Sequence, residues 1–493
     1  MAVETSGPRE YDLIAVGTGS VMYVVEPYLE RNPGARAAVI DQDEPGGICL
    51  TRGCIPSKML VYPATLRRLA ERAPGMGIDL RLHGIDFRRV MDRMRRAIRS
   101  DIDEIRRDLS TAPNIDYFEG TAEFVEPGTL RVGNARLRSR RILLGTGSRP
   151  RIPSLPGLRE AGYLTSDSVL EMNELPASLG ILGGGFIAAE YAHFFSAMGS
   201  RVTIVGRNAR ILPGEEPEIS ELVERAMRRY LTVRTGQEAV RVLGRAGAIR
   251  VEVRERASGA CSEVESEQIL VAVGREPNND LLQPQRAGVA LDEGGWIRVD
   301  DHLRTSSPGV WALGDATGGP LFKHRANQDA ALIEENLVRG GNRATDYHAV
   351  PHAVFTDPEV ASVGWTEREA IDRLGVEQLL VGRYPFEKTA KARAMDVREG
   401  FVKVLVEKGT DRIVGAHIVG PEAAILLQEI VDLMYTPSRS YRPIPDGMHI
   451  HPALSEVVER AFETLAPVEG SGTETAGRVR RSAERPDPLR ADP

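Results

Sequence analysis

Two of the chain's three cysteines, Cys49 and Cys54, stand five residues apart in GGICLTRGCIPSK, a glycine-rich turn that runs into a helical pattern. Thiols so placed can close and open a disulfide, and the amino end of the following helix would favour a thiolate for the exchange. An inert buried pair has the same spacing. A metal centre fits less well, because no second Cys/His pair lies near in sequence to complete a tetrahedral set, and no metal site is expected. Cys261, in ERASGACSEV, reads as a loop residue without a role. Dithiol chemistry also needs a group that takes and returns a proton. His451, in His449-Ile450-His451-Pro452 with Glu456 five residues on, offers an imidazole and a carboxylate to hold it, although a structural histidine would look the same.

A second kind of site is written in glycines. Gly17-Thr18-Gly19 follows the apolar run of YDLIAV, and its tight turn and uncovered backbone would let a pyrophosphate sit on the amino end of the next helix. Met22 stands where a third small residue would allow close helix–strand packing. Asp41 ends the next strand, where a carboxylate can accept from both ribose hydroxyls or be a plain surface acid. Gly183-Gly184-Gly185-Phe186-Ile187-Ala188 satisfies the dinucleotide fingerprint in full, with Ala188 as its small third member. At the matching strand end the chain reads Gly206-Arg207, with no acid. A carboxylate there would repel a 2′-phosphate and an arginine would bind it, so the second nucleotide reads as NADPH rather than NADH. Arg207 and Arg210 as ordinary surface residues would need no ligand.

The elements that must position these residues are two strand–turn–helix–strand units of the doubly wound type, YDLIAVGTGS to RAAVID and SLGILGGGFIAAEYAHFFSAMG to RVTIVGR. Further buried-strand candidates lie at 141–148 (RILLGTGS), 268–275 (QILVAVGR) and 309–316 (GVWALGDA), and they suit a parallel sheet covered by helices. Residues 88–110 predict a helix whose Asp92, Asp101, Asp103 and Glu104 make an ion-paired solvent face rather than a nucleic-acid surface. After residue 349, short strands (HAVFTDPEVASVGW, GFVKVLVE, RIVGAHIVG) precede the helix AAILLQEIVDLM, which predicts an α+β domain. The stretch from Pro467 is almost without apolar residues and reads as a disordered tail over 467–493.

A length of 493 residues predicts about three domains, and 42% hydrophobic with 27% charged residues is globular composition. The net charge of −7 leaves no global positive field for nucleic acid or an anionic membrane. No apolar run approaches the ~20 residues of a membrane span, and the opening MAVETSGPREYD lacks the basic start of a signal peptide. Three cysteines give no secreted disulfide framework, so a reducing cytoplasm is expected.

Over residues 10–465 the chain resembles the flavin-dependent pyridine nucleotide–disulfide oxidoreductases. GGxCxxxGCxPSK (Gly46 to Lys58), ALGDA (312–316) and HPxxxE (451–456) carry the resemblance. It implies an α/β fold: an FAD-binding domain in two parts (1–150 and 275–348), an NAD(P)-binding domain (151–274) and an interface domain (349–466). It also implies that Cys49 attacks substrate while Cys54 lies against the flavin, with Lys58 and Glu190 near its reactive nitrogen. By the same likeness Asp41 meets the FAD adenosine ribose, Asp315 its ribityl chain, and Gly147 and Gly274 join the cofactor contacts. His451 and Glu456 would be the acid–base pair, contributed by the other subunit of a homodimer. Within the family, PSK, RILP (210–213) and HxHPxLSE (449–456) resemble dihydrolipoamide dehydrogenase, the leading expectation for activity and a lipoyl group its substrate. GTGS (17–20), KMxVYxA (58–64), KHxAN (323–327) and HPALxEVVExA resemble mycothione reductase, an NADPH-dependent reductase of a small disulfide. Mercuric and high-molecular-weight thioredoxin reductases are disfavoured, since no cysteine lies beyond Cys261. A flavoprotein diaphorase, passing electrons to quinones or metals, would need neither the cysteine pair nor His451.

Overall fold

The computed structural model describes residues 7–468, so the expected tail lies, from residue 469, outside the described residues. All four residues of strand Leu13–Val16 are buried in a parallel sheet. Its strand order is Val310–Ala312, Ile142–Leu144, Leu13–Val16, Ala37–Asp41, Ile115–Glu119. Alternation along the central strand divides its two faces. Leu13 and Ala15 pack with Val24, Val25, Leu109 and Ile333, from helices Met22–Arg31, Phe87–Thr111 and Lys323–Leu337. Ile14 and Val16 pack instead on Phe124, Leu130 and Leu137. These belong to the antiparallel strands Ala122–Glu126, Thr129–Val132 and Ala135–Arg138, so a small sheet covers the face where helices were expected.

The second unit repeats the plan. Thr232–Arg234, Arg201–Val205, Ser178–Leu182 and Gln268–Val271 form a parallel sheet in that order. One face carries helix Phe186–Met198, which is buried from Ala188 to Met198 because helix Cys54–Arg72 packs on its other side. The other face is closed by Val242, Ile249, Val251 and Val253 of an antiparallel sheet, Gln237–Arg245, Ala248–Glu255 and Cys261–Ser266. Cys261 therefore opens a strand and does not lie in a loop. Strands Ser148–Pro150 and Arg275–Pro277 pair antiparallel where the chain passes between the two units.

Residues from 352 onward build a six-stranded antiparallel sheet, with helices Ala423–Met434 and Glu456–Glu463 packed into its core. Its edge strand Ala466–Pro467 pairs with Leu380 and Val381, so Pro467 belongs to the sheet rather than to a tail. The architecture is α/β with two doubly wound nucleotide units and a C-terminal α+β domain. Helix Phe87–Thr111 buries Met91, Met94, Ile98 and Ile102 on one side, while Arg95 pairs with Asp92 and Arg106 with Glu44 and Glu119. Of the four acids expected on its ion-paired face, Asp92 and, at 3.7 Å from Arg106, Asp103 are paired among the described residues. No helix among the described residues is long and apolar enough to cross a membrane.

Candidate active site

A long cleft opens at the carboxyl end of the first parallel sheet, where such sheets bind ligands. Gly17, Gly19, Asp41, Cys49, Cys54, Lys58, Gly147, Glu190 and Asp315 all line it. Gly17 turns the chain at φ +103°, and a Cβ there would lie 2.3 Å from the carbonyl oxygen of Gly145. Only glycine allows that approach. Helix Met22–Arg31 comes close to the neighbouring strand at Val21, whose side chain lies over Gly145. The room expected of a small residue at 22 is thus supplied at 145, and Met22 packs on the helical side.

Both the N–H and the hydroxyl of Thr18 donate to Asp41 Oδ2, at 2.8 and 2.6 Å. Burial holds the Asp41 carboxyl above its ordinary pKa, against the pull of these bonds. Midway along the cleft the Ser148 hydroxyl donates to Asp315 Oδ2 at 2.6 Å, and Arg275 Nε donates to Ser148 Oγ at 2.8 Å. Gly314, just before Asp315, is held by its N–H to buried Asp329 (2.9 Å), which also accepts from Tyr347 (2.6 Å). Sequence reasoning missed Ser148, Asp329 and Tyr347, and nothing in their local pattern marks them.

At the far end Cys49 sits on the short helix Gly47–Thr51 and Cys54 on the first position of helix Cys54–Arg72. The two thiols are unjoined. The neighbouring Cys49 thiol holds the Cys54 thiol below its usual pKa, the Lys58 charge adds to this, and burial opposes it. Cys49 is correspondingly pushed up, chiefly by Cys54 and then by burial. Lys58, one helical turn beyond Cys54, donates to both oxygens of Glu190 at 2.9 and 2.8 Å. Glu190 is buried and also accepts from Phe355 N–H at 3.2 Å.

The second glycine motif closes the other sheet in the same way. A Cβ on Gly183 would lie 2.1 Å from the Ala272 carbonyl oxygen, Gly185 caps the helix facing open space, and Ala188 is buried under it. Arg207 lies exposed beyond the neighbouring strand, and Gly274 beyond the strand on the other side. The Arg256 guanidinium donates to the Arg207 carbonyl at 3.2 Å, adding a second arginine at this turn. It comes from the end of a hairpin strand 49 residues away, and no spacing rule would have found it. Arg210 instead pairs with Glu221 at 2.5 Å.

His451 and Glu456 are brought together but not to the cysteines. His451 Nδ1 lies 2.8 Å from Glu456 Oε1, and Glu456 Oε2 accepts from Ala453 N–H at 3.1 Å. Burial raises the Glu456 carboxyl, yet the bonds from His451 and Ala453 outweigh it and hold the group below its ordinary pKa. The imidazole side chain is 70% exposed and lies outside the cleft that holds Cys49 and Cys54. Its near neighbours in the chain, Met448 and Ile450, expose their apolar side chains as well.

Comparison with known proteins adds to this geometry. Residues 11–330 match the family model described as pyridine nucleotide-disulphide oxidoreductase, and residues 350–462 match its dimerisation domain. Mycothione reductase of Mycobacterium tuberculosis is 36% identical over 472 residues, covering 92% of this chain and 98% of that protein. Dihydrolipoyl dehydrogenase 3 of Haloarcula marismortui is 32% identical over 467 residues, covering 92% and 96%. Among solved structures, the Cu(II) complex of the HOCl-induced flavoprotein disulfide reductase RclA of Escherichia coli superposes with a TM-score of 0.82 at 29% identity, covering 92% and 99%.

Proposed function

Because the chain belongs to the pyridine nucleotide–disulphide oxidoreductase family, we propose that it is an NADPH-dependent reductase of a low-molecular-weight disulfide, working through Cys49 and Cys54. The observation that carries this reading is the turn after strand Arg201–Val205, which presents Arg207 and Arg256 and no acid where an NAD enzyme needs a carboxylate. Likeness to mycothione reductase supports it at least as well as likeness to dihydrolipoyl dehydrogenase supports the lipoamide activity expected first.

FAD and NAD(P) are this family's cofactors, and the residues fit them. The Gly17–Gly19 turn would take a pyrophosphate, Asp41 an adenosine ribose, Asp315 the ribityl hydroxyls, and Lys58–Glu190 the reactive end. Bound FAD supplies a relay for two electrons between nicotinamide and the cysteine pair. A hydride's worth of reduction, two electrons and one proton, opens Cys49–Cys54 to one thiol and one thiolate. Cys49, its proton taken by the partner subunit's His451, attacks a sulfur of the substrate, and the S–S bond breaks to give a mixed disulfide and a thiolate product. Protonation of that product falls to His451 of the partner subunit, oriented by Glu456. The Cys54 thiolate then displaces the second product from Cys49 and restores the disulfide, the second proton coming from solvent. The dimerisation domain, the exposed His451 and the exposed apolar side chains near it in the chain support a homodimer with a shared site. A reducing cytoplasm suits this chemistry.

Two assays on the purified protein test the reading: NADPH against NADH with a panel of small disulfides, and dihydrolipoamide with NAD⁺. NADPH-driven disulfide reduction is expected. Efficient dihydrolipoamide oxidation by NAD⁺, with no NADPH-driven disulfide reduction, would replace it with the lipoamide activity.

A further inference from the structure

A pyrophosphate carries two negative charges, and the Gly17–Gly19 turn that would take it offers N–H dipoles but no full positive charge. Among the described residues the cations lining the cleft are Arg52, Lys58, Arg275 and Lys323. Three of them are held elsewhere. Lys58 is spent on both oxygens of Glu190. Arg52 lies between Asp43 (2.6 Å) and Asp167 (3.4 Å). Arg275 donates to the hydroxyl and the carbonyl of Ser148, both at 2.8 Å. Lys323, the first residue of helix Lys323–Leu337, is half-buried, and among the described residues no carboxylate lies within ion-pair distance of it.

The Lys323 ammonium donates to Ser20 Oγ at 2.9 Å, and Ser20 is the residue that follows Gly19 in the turn. The hydroxyl of buried Ser20 in turn donates at 2.9 Å to Asn327 Oδ1, one turn further along the helix that Lys323 opens. Lys323 and Asn327 thus clamp the glycine turn to the start of that helix, and the Tyr23 ring lies 5.3 Å from ammonium to centroid. An ammonium has three N–H groups, and Lys323 gives one of them to Ser20. A half-buried ammonium whose polar partner is a neutral hydroxyl is a costly arrangement unless an anion sits beside it. Burial accordingly holds the Lys323 ammonium below its ordinary pKa. We propose that Lys323 is a ligand of the FAD pyrophosphate, the positive charge that the glycine turn itself lacks. Ser20 and Asn327 are its positioning residues: the hydroxyl fixes the ammonium at the turn, and the amide oxygen fixes the hydroxyl. Because Ser20 and Lys323 stand 303 positions apart, this contact also joins the two parts of the FAD-binding domain at the cofactor.

This assignment rests on reading the cleft as the FAD site, and the test separates the two claims. Release of FAD from the full-length holoprotein on dilution is followed by free-flavin fluorescence at two ionic strengths, and again with ADP, which carries a diphosphate without the flavin, as competitor. Lys323→Gln is expected to raise the Kd for FAD about tenfold and to flatten its dependence on salt, because a charge-assisted contact is lost and with it the interaction that salt screens. Lys323→Arg should restore most of the affinity, and ADP should weaken in Lys323→Gln by the same factor as FAD. Ser20→Ala, which removes only the positioning hydroxyl, should give a smaller loss of the same sign and serves if Lys323→Gln does not fold. FAD affinity and salt dependence unchanged in both Lys323→Gln and Ser20→Ala would overturn the role of Lys323 while leaving the cofactor site standing. A loss confined to FAD, with ADP unaffected, would overturn it too, since the charge would then act at the flavin. A wild-type chain that takes up no FAD would defeat both claims.

Discussion

Nucleotide choice is the sharpest consequence of the geometry, since it turns on two guanidinium groups at one exposed turn. NADPH differs from NADH by a 2′-phosphate, and hydrogen bonds to a charged group contribute about 1.5–3 kcal/mol each. Arg207 is exposed, which places its contact near the lower figure because water and salt screen it. About 1.5 kcal/mol is roughly a tenfold change in kcat/KM. Arg207→Ala should therefore lower kcat/KM for NADPH by about tenfold and leave NADH unchanged. Arg256 holds the Arg207 carbonyl through one nitrogen and has other N–H donors to offer, so Arg256→Ala should cost several-fold, and the double variant about thirty- to fiftyfold. Arg207→Glu should go further and favour NADH, because a carboxylate accepts from a free 2′-hydroxyl and repels a phosphate. Steady-state rates with each nucleotide at two ionic strengths, together with calorimetric binding of 2′,5′-ADP, measure this directly. The preference should shrink as salt rises. A wild-type protein that uses both nucleotides equally, or an Arg207→Ala variant that loses NADH and NADPH activity alike, would refute the reasoning.

Three further outcomes follow from the site and its surroundings. His451→Gln should keep FAD and its reaction with an artificial electron acceptor but lose disulfide turnover by ~10²–10⁴. Verified heterodimers of His451→Gln with Cys49→Ser chains should regain part of it, and no recovery would reject a shared site. Lys58→Met leaves the buried Glu190 carboxylate without its ammonium and should cost about 3 kcal/mol in denaturant unfolding; Lys58→Met with Glu190→Leu should recover part of that loss. Glu359 is pushed up to about 7, by burial first and then by the Glu422 and Glu190 charges, against a bond from Ala424 N–H. Its folded-state pKa lies above the unfolded one, so ionisation destabilises the fold as pH rises from the ordinary carboxylate range through about 7. Glu359→Gln should therefore leave stability near pH 4 unchanged and raise it by about 2 kcal/mol near pH 8.5, which unfolding at the two pH values will show.

What the residues alone determined here are features that local spacing encodes. A glycine forced to φ +103° beneath a carbonyl, two cysteines flanking a turn, a lysine one turn beyond the second, and a histidine five residues before its carboxylate all act within a few positions of each other. The parallel strands were legible for a similar reason, because burial on both faces demands continuous apolar runs. Tertiary structure decided which distant groups meet. The Lys58–Glu190 pair spans 132 positions, Ser148–Asp315 spans 167, and Lys323 reaches Ser20 across 303. Such contacts depend on sheet order and helix packing, which leave no period in the chain. The same holds for the antiparallel sheets beneath each parallel one: an apolar strand calls for a covering layer without specifying whether helix or sheet provides it. Arg256 beside Arg207 is a product of that layer. His451 marks the opposite limit, since the chain carries the residue and its carboxylate partner while its place outside the cleft became visible only in the folded molecule.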